Sequence, residues 1–275
     1  MVRGSPLNSN SPPAVVTSAL TRRFGDRIAV DALDLRIERG VFFGLIGSNG
    51  AGKTTLIKMF TTLLPPTSGS ARVAGFDIVH EARQVRRRIG YVPQLISADA
   101  ALTGRENLSL FAKLYGIERV ERAGRIDDAL DFMALVDVGD ELVRTYSGGM
   151  IRRLEIAQAL LHRPAIVFLD EPTVGLDPVA KHSVWDRLRD LRTRFGTTVL
   201  LTTHEMDEAE ALCERIAIMH QGRLVALGTP EELKSATGQD ATMDDVFVHY
   251  TGKAIDARGT YRDVARTRRT TERLR

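Results

Sequence analysis

The chain has 275 residues, of which 43% are hydrophobic and 27% are charged. This balance is typical of a globular protein and excludes a fibrous or wholly disordered chain. No apolar run approaches the roughly 18 residues that a membrane span requires, and the single cysteine, Cys213, has no partner for an intrachain disulfide. The first thirteen residues are rich in Ser, Pro and Asn and lack the apolar core of a signal peptide. We therefore expect a cytosolic chain.

The net charge of +3 is unevenly distributed along the chain. Residues 251–275 contain eight Arg or Lys and three Asp or Glu, a net charge of +5, so the other 250 residues sum to −2. The basic balance therefore does not indicate a nucleic-acid-binding body. We expect residues 1–13 to be a disordered leader and residues 253–275 a basic, disordered tail, for which contact with anionic lipid is the alternative.

The first elements are short β-rich segments. Apolar patterns predict strands over 15–20, 32–37 and 41–46, the last an unbroken apolar run of the buried kind. After a Gly-rich turn over 47–52, a helix is predicted over 53–64, where two prolines follow. Residues 70–79 are predicted to be a strand pair broken at Gly75.

From Thr103 the hydrophobic period becomes helical. Thr103 and Glu106 form a capping-box pattern, and Leu108, Phe111 and Leu114 share one predicted face. A second helix is predicted over 120–135, so the stretch from about 98 to 146 has the character of a helical insertion. Helix and strand then alternate, with helices over 148–162 and 179–195 and strands over 166–169 and 198–202. Such alternation predicts a parallel α/β sheet.

Residues 47–54 fit the phosphate-loop pattern Gly-x4-Gly-Lys-Thr and lie between a predicted buried strand and a predicted helix. Glycines let successive backbone N–H groups converge on an anion, and the following helix N-terminus adds positive potential. We expect Lys53 to reach the β- and γ-phosphates and the Thr54 hydroxyl to ligate Mg²⁺. The predicted nucleotide-binding residues of this loop are Gly47, Ser48, Asn49, Gly50, Ala51, Gly52, Lys53, Thr54 and Thr55.

Two acids, Asp170 and Glu171, follow the predicted strand over 166–169. They would lie at the carboxyl end of a central strand, where open α/β sheets bind ligands. We expect Asp170 to hold Mg²⁺, directly or through water, and Glu171 to orient and deprotonate the attacking water. An apolar strand that ends in two acids is, on its own, more often a solvated strand end; the phosphate loop favours the catalytic interpretation.

A second anion-binding pattern precedes the helix over 148–162. Ser147 is a natural N-cap, and Gly148 and Gly149 would expose backbone N–H groups at the positive helix end. With phosphate loop, helical insertion, Ser-Gly-Gly and Asp-Glu strand in this order, the chain resembles the nucleotide-binding subunit of an ATP-binding-cassette (ABC) transporter over residues 15–252.

Four further residues are similar in position to motifs of this family. Phe24 resembles the aromatic residue that stacks on adenine, Gln94 the Q-loop glutamine, Asp177 the D-loop aspartate and His204 the switch histidine. The resemblance implies catalytic roles for Glu171, His204, Lys53 and Gln94. It also implies a metal site of Thr54, Gln94 and Asp170, and contacts to ATP from Phe24, Ser147, Gly148, Gly149 and Asp177.

The sequence departs from the family pattern at two positions. The signature motif usually begins with Leu and ends with Gln, whereas Tyr146 and Met150 stand there in this chain. Together with residues 242–252, this variant resembles the antibiotic-resistance exporter subfamily typified by daunorubicin/doxorubicin exporters. The short segment between Leu233 and that ending departs from many of those proteins, which weakens the drug assignment.

The resemblance implies a RecA-like α/β phosphate-loop core over 14–235, with an N-terminal antiparallel β-subdomain and a helical subdomain inserted over about 98–160. A short motif over 236–252 would follow. It also implies a head-to-tail dimer with ATP and Mg²⁺ at the interface. The partners would be a second copy of the chain and a separate transmembrane permease, contacted through the Q-loop and helical subdomain at the cytoplasmic face of the membrane.

Several functional alternatives remain open at this point. Within export, the cargo could be a drug-like small molecule, a lipid, a polysaccharide or sodium. A related ATPase that acts on DNA or ribosomes is disfavoured, because the chain has no long coiled coil, zinc-binding cysteine cluster or second cassette. A nucleotide-gated regulator without turnover is disfavoured because Glu171 and His204 are both present. No nucleic-acid partner is expected.

Overall fold

The computed structural model describes residues 12–252, so the tail over 253–275 and most of the leader over 1–13 lie outside the described residues. The described chain contains both strands and helices in the alternation that the sequence predicts. The strands are β1 (Val15–Phe24), β2 (Arg27–Leu33), β3 (Arg36–Ile37), β4 (Phe42–Ile46), β5 (Ser68–Val73), β6 (Phe76–Asp77), β7 (Ile89–Val92), β8 (Ile166–Asp170), β9 (Thr198–Thr203), β10 (Arg215–His220) and β11 (Arg223–Gly228). The helices are α1 (Lys53–Phe60), α2 (Ala82–Arg88), α3 (Gly104–Leu114), α4 (Arg119–Phe132), α5 (Gly148–Leu160), α6 (Pro178–Phe195), α7 (Met206–Leu212), α8 (Pro230–Thr237) and α9 (Met243–Thr251).

The main sheet has six strands in the order β11-β10-β4-β9-β8-β7. The five from β10 to β7 are parallel, and β11 pairs with β10 in the antiparallel sense. Side chains alternate between two buried clusters, so that Phe42 and Ile46 lie on one side and Phe43 and Leu45 on the other. A parallel sheet is covered on both faces, which explains the unbroken apolar runs of its strands. The predicted parallel α/β sheet is confirmed.

A second, antiparallel sheet is formed in the order β2-β1-β5-β6, with β3 paired to β1. The prediction of one strand over 32–37 is wrong, because the chain there belongs to two strands, β2 and β3. Ala32 adopts a left-handed φ of +42°, and the Asp34 carboxylate accepts a hydrogen bond from the Ala19 N–H at 2.7 Å, which breaks the ladder. The predicted pair over 70–79 is present as β5 and β6.

The helix predicted over 53–64 ends earlier, at Phe60. Thr62 adopts a φ of +63°, and the N–H of Leu63 bonds back to the carbonyl of Lys58 at 2.9 Å, so the chain turns out of the helix before the prolines. In α3 the predicted capping box of Thr103 and Glu106 is confirmed. The predicted apolar face is only partly buried.

Within that face, Leu108 is buried, whereas Leu114, in the last turn of α3, is 72% exposed. Residues 104–160 hold the three helices α3, α4 and α5, which pack on one another. At the other end of the described chain, residues 242–252 form α9, which a Thr242 capping box begins. Val246 and Phe247 of α9 are buried in the same cluster as one face of the main sheet, so this ending is part of the core. No described helix is long and apolar enough to cross a membrane.

Tyr146 explains how the unusual first position of the signature motif is accommodated. Its ring is buried, and its hydroxyl donates a 2.6 Å hydrogen bond to the carbonyl of Val138. Gly104 at the start of α3 leaves the necessary space, since a Cβ there would lie 2.4 Å from the Tyr146 hydroxyl. This hydrogen bond therefore attaches the chain directly before Ser147 to the loop that follows α4.

We expect Tyr146→Phe to lower the free energy of unfolding by about 1–2 kcal/mol, because the Val138 carbonyl loses its hydrogen bond from the tyrosine. Urea denaturation measures the change. Tyr115→Phe is the matched control, since the Tyr115 ring is packed on His162 but its hydroxyl bonds to none of the described residues. Equal losses in the two variants would contradict a specific role for the Tyr146 hydroxyl.

Candidate active site

Four adjacent strands of the main sheet end at one edge. In the order of the sheet these are β4, β9, β8 and β7, and all four are parallel. Gly47 follows β4, His204 follows β9, Glu171 follows β8 and Gln94 lies two residues after β7. The carboxyl ends of parallel strands meet on the same side of the sheet, where ligands of open α/β folds bind. Residues that are more than a hundred positions apart therefore share one site.

The phosphate loop has the backbone conformation that its glycines allow. Gly50 and Gly52 adopt φ values of +81° and +109°. A Cβ on Gly52 would lie 2.3 Å from the carbonyl oxygen of Ala29, and one on Gly47 would lie 2.6 Å from that of Met219. No side chain caps α1. Because the first N–H groups of a helix have no intrahelical acceptor, those of α1 remain available to an anion.

Lys53 is buried, with 5% of its surface exposed. Its ammonium donates a 2.6 Å hydrogen bond to the Gly47 carbonyl and lies 3.4 Å from the carboxylate of Glu171. Burial lowers the pKa of Lys53, and the nearby carboxylates of Glu171 and Asp170 oppose that shift. The Lys53 ammonium is thus held beside the phosphate loop, where it is predicted to contact the phosphates.

Thr54 and Asp170 meet next to the phosphate loop. The Thr54 hydroxyl is 3.3 Å from Asp170 Oδ1, and the buried Thr202 hydroxyl of β9 donates to the same oxygen at 2.6 Å. Thr202 was not identified in the sequence, and an apolar strand with threonines at its end offers no distinctive signal. It fixes the orientation of the Asp170 carboxylate from the neighbouring strand.

Glu171 lies at the centre of the site. Its φ is +49°, an unusual value for a residue other than glycine, and its N–H donates to the carbonyl and to the hydroxyl of Thr202, both at 3.1 Å. The side chain of Gln94 donates to Glu171 Oε2 at 3.1 Å. Nδ1 of His204 lies 3.3 Å from Glu171 Oε1, and the Lys53 ammonium lies 3.4 Å from the same oxygen. Three of the predicted catalytic residues therefore surround the fourth.

Glu171 and His204 shift each other's protonation. Contact with the imidazole of His204 lowers the pKa of the Glu171 carboxyl despite its burial, and Lys53 acts in the same direction. Contact with Glu171 raises the pKa of His204, against burial and the Lys53 charge. The attraction stabilises the folded chain fully only below the ordinary histidine pKa and above the ordinary carboxyl pKa. Its contribution is lost as the pH rises through the raised pKa of His204, or falls through the lowered pKa of Glu171.

A cavity of about 470 Å³ opens over the phosphate loop. Phe24, at the end of β1, forms one side of it, and the guanidinium of Arg22 lies 4.6 Å from the centre of the Phe24 ring. Arg27, which the sequence did not single out, also lines this cavity. The other lining residues are Ala29, Ser48, Asn49, Gly50, Ala51, Gly52, Lys53, Thr54, Thr55, Gln94 and Glu171.

The remaining predicted contacts to ATP are not part of this cavity. Ser147 caps α5 by accepting a 3.3 Å hydrogen bond from the Met150 N–H, and Gly148 is exposed beside it. Gly149 packs closely on α6, where a Cβ would lie 2.8 Å from that of Ala180. Asp177 accepts a 3.0 Å hydrogen bond from the Ala180 N–H at the start of α6. Neither the Ser-Gly-Gly element nor Asp177 lines the phosphate-loop cavity.

The cavity has the features that a nucleoside triphosphate and Mg²⁺ require. The glycines leave room for phosphate oxygens against the backbone, and Lys53 and the end of α1 supply positive charge. Mg²⁺ is usually held by one or two carboxylates together with phosphate oxygens and water. Asp170, Thr54 and Gln94 offer one carboxylate, one hydroxyl and one amide oxygen at this place, so these residues fit the ion.

The model of the ABC transporter family matches residues 30–174 of the chain. The chain belongs to the ABC transporter family. A daunorubicin resistance ATP-binding protein of Streptomyces coeruleorubidus is 47% identical over 227 residues, which are 82% of this chain and 72% of that protein. A daunorubicin/doxorubicin resistance ATP-binding protein of Streptomyces peucetius is 46% identical over 234 residues, 85% and 71% of the two chains. A Nod factor export ATP-binding protein of Burkholderia thailandensis is 45% identical over 212 residues, 77% and 69% of the two chains.

Solved structures of ABC ATP-binding proteins have the same fold as this chain. The ATP-binding subunit of an ABC transporter superposes with a TM-score of 0.76 at 29% identity, covering 86% of this chain and 99% of that one. A dimeric ATP-binding cassette in a post-hydrolysis state with ADP and Pi superposes with a TM-score of 0.69 at 27% identity, covering 78% and 98%. The predicted RecA-like fold and the resemblance to resistance-type exporters are confirmed. The chain is an ABC transporter subunit that binds and hydrolyses ATP.

We expect the pKa of His204 to fall in Glu171→Gln, because the substitution removes the main group that raises it and leaves burial and Lys53, which lower it. Histidine ring signals followed by NMR across a pH series measure the change, and His204→Gln assigns the resonance. Glu205→Gln is the control, since Glu205 contributes less to the shift. An unchanged His204 pKa in Glu171→Gln would show that the 3.3 Å contact does not exist in solution.

Proposed function

We propose that the cluster around Glu171 is the hydrolytic centre of this ATPase. Its support is a single arrangement: the carboxylate at the end of β8 lies within 3.4 Å of Lys53 and His204 and is hydrogen-bonded to Gln94, beside the phosphate loop. A lowered pKa keeps Glu171 ionised at neutral pH, as a proton acceptor must be. Glu171 would take the proton of the attacking water.

The other residues of the cluster would bind and orient. Lys53 and the loop N–H groups would hold the phosphates, and Phe24 would stack on adenine through its exposed ring face. Thr54, Asp170 and Gln94 would hold Mg²⁺, which, when bound, neutralises phosphate charge. His204, through its contact with Glu171, would keep that carboxylate in place as the proton moves.

The position of the Ser-Gly-Gly element favours a dimer. Ser147 and Gly148 are exposed at the N-terminus of a thirteen-residue helix, α5, yet they lie outside the cavity of their own phosphate loop. A helix N-terminus binds anions, so this one is suited to the nucleotide of a second copy. The dimeric relative holds ADP and Pi. We infer a head-to-tail dimer in which Ser147, Gly148, Gly149 and Asp177 complete the site of the partner.

A separate membrane subunit would carry the translocation pathway. Leu95 and Ile96, directly after Gln94, are 81% and 63% exposed, an unusual position for two large apolar side chains. Residues of this loop and of the helical region over 98–160 would contact that subunit. The chain would then act at the cytoplasmic face of the membrane.

We infer export of a drug-like small molecule, because two of the relatives described above are named for daunorubicin resistance. The relative named for Nod factor export supports a second candidate, a cargo similar to a Nod factor. Purification with the membrane subunit, followed by ATPase assays with daunorubicin and with a Nod factor, separates the two. Stimulation by neither class would oppose both.

We expect Glu171→Gln to lower the ATPase rate by about 10²–10⁴, because the amide cannot accept the proton of water. Binding of MgATP should persist, since Lys53, Thr54 and Asp170 are intact, and the ATP-bound dimer should accumulate. Asp170→Asn should instead weaken MgATP binding as well, because the metal site loses its carboxylate. Turnover, MgATP affinity and light-scattering mass are measured for both variants in one buffer. A Glu171→Gln protein with near wild-type turnover would exclude Glu171 as the base.

We expect Ser147→Arg to block ATP-dependent dimerisation while the monomer still binds ATP, because a bulky side chain would occupy the helix end that the partner's nucleotide should approach. Size-exclusion chromatography in the Glu171→Gln background measures the dimer. Ser147→Ala removes the N-cap without adding bulk, and Ser235→Arg on the exposed face of α8 adds the same charge far from the signature. Dimerisation of Ser147→Arg like that of Ser235→Arg would oppose the two-sided site.

A further inference from the structure

Two buried charged side chains of α5 hold the segment that carries Gln94. Arg152 and Glu155 are 5% and 2% exposed and pair with each other, with 3.0 Å between the guanidinium and the carboxylate. Neither belongs to the site described above. Charges this deeply buried destabilise a protein unless they are paired and hydrogen-bonded, so their remaining partners identify what they do.

Within the described part of the chain, all the remaining side-chain hydrogen bonds of this pair go to residues 93–97. Arg152 donates to the carbonyls of Pro93 and Gln94, at 2.8 and 3.1 Å. The carboxylate of Glu155 accepts from the N–H of Ser97 and, at 2.9 Å, from its hydroxyl. The segment itself is largely exposed. Its position is therefore determined by α5 on one side and by the Gln94–Glu171 hydrogen bond on the other.

The chain beyond this segment is fixed in the same way. Asn107, buried on α3, accepts from the N–H of Asp99 at 2.9 Å and donates to the carbonyls of Asp99 and Thr103 at 2.9 and 3.0 Å. Gln158 of α5 donates to the Asn107 amide oxygen at 3.4 Å. The path from Gln94 into the helical region is thus attached to α5 directly at positions 93, 94 and 97 and, through Asn107, at position 99.

We propose that Arg152 and Glu155 are positioning residues that couple Gln94 to Ser147, so that a change of partner at Gln94 moves the N-terminus of α5. Ser147 caps the same helix five residues before Arg152. A helix is stiff over such a distance, so a pull on Arg152 displaces Ser147 with it. This inference rests on the proposed function: if Ser147 serves the partner's nucleotide, the pair links the two ATP sites of the dimer.

The hydrogen bond of Gln94 indicates that the coupling would run from the bound nucleotide to α5. Gln94 donates to Glu171, whereas a Gln94 that ligates Mg²⁺ must direct its amide oxygen to the ion and give up or rearrange that bond. A displacement of the backbone at Gln94 that accompanies this rearrangement would act on Arg152 and Glu155, because both contact backbone atoms of this segment. Nucleotide at one site would thereby bring the signature helix of the same chain into position for the other site.

The test uses the double variant Arg152→Met with Glu155→Leu, in the Glu171→Gln background that prevents turnover. Replacing both charges avoids an unpaired buried ion, and the exposed loop groups can bond to water. The matched control is Arg153→Gln: Arg153 is the next residue of α5, but it donates to Met133 and Ala134 and not to residues 93–97.

The first readout is backbone hydrogen exchange with and without MgATP, at a protein concentration low enough that light scattering gives the mass of the monomer. In the Glu171→Gln parent and in the Arg153→Gln control we expect MgATP to change exchange both at 94–98 and at 148–151. In the double variant we expect the change at 94–98 to remain and that at 148–151 to fall to less than a third. Equal responses at 148–151 in the double variant and the parent, or none in the parent, would overturn the proposal.

The second readout is ATP-dependent dimerisation at higher concentration. We expect the double variant to need at least tenfold more protein to dimerise, with its MgATP affinity as a monomer within about twofold of the parent. Dimerisation at the parent's concentration would overturn the link between the two sites. A parent that never dimerises while its hydrogen exchange responds as expected would refute the proposed dimer and leave the coupling within the chain standing.

Discussion

Contacts with the buried carboxylate of Glu171 hold the site together. Lys53 from the phosphate loop, Gln94 from the end of β7 and His204 from the end of β9 all contact it. In a poorly hydrated environment such contacts are strong, and an unpaired charge would be costly. The cluster therefore holds together loops that follow four different strands, and it is stable only because the covered parallel sheet places those strand ends side by side.

The Ser-Gly-Gly element, which we propose as a second anion-binding site, has a different environment. The N-terminus of α5, with Ser147 as its cap, lies outside the phosphate-loop cavity, and Gly149 packs against Ala180 near the start of α6. The phosphate loop lines a cavity and the Ser-Gly-Gly helix end lies outside it, an arrangement that is expected if each chain contributes half of two composite sites. On that view the tight contact of Gly149 with Ala180 has a functional consequence, because it determines how far the Ser-Gly-Gly backbone projects from the surface.

The helix α5 thus has two tasks. Its N-terminus presents the signature residues, and its middle, through Arg152 and Glu155, determines the position of the segment that leads from Gln94. The buried hydroxyl of Tyr146 adds a third attachment, to the loop before the signature. On the proposed coupling, nucleotide binding at the sheet edge would reach the N-terminus of α5 through these fixed contacts.

The phosphate loop, the Asp-Glu strand end and the Ser-Gly-Gly element are recognisable from residue order alone, because each depends on a short run whose residue types are dictated by phosphate or metal chemistry. The family and the parallel sheet followed from their order. Which of these elements lie side by side depends on the three-dimensional fold. Thr202, Arg27, Arg152 and Glu155 carry no local signature, since a threonine at a strand end or an Arg-Glu pair on a helix is common everywhere. The break between β2 and β3 depends on the left-handed backbone of Ala32 and on the long-range hydrogen bond that the Asp34 carboxylate accepts from β1. The exposure of Leu114 depends on which elements pack against α3. Both features depend on contacts between distant parts of the chain, and a local hydrophobic period carries no information about such contacts.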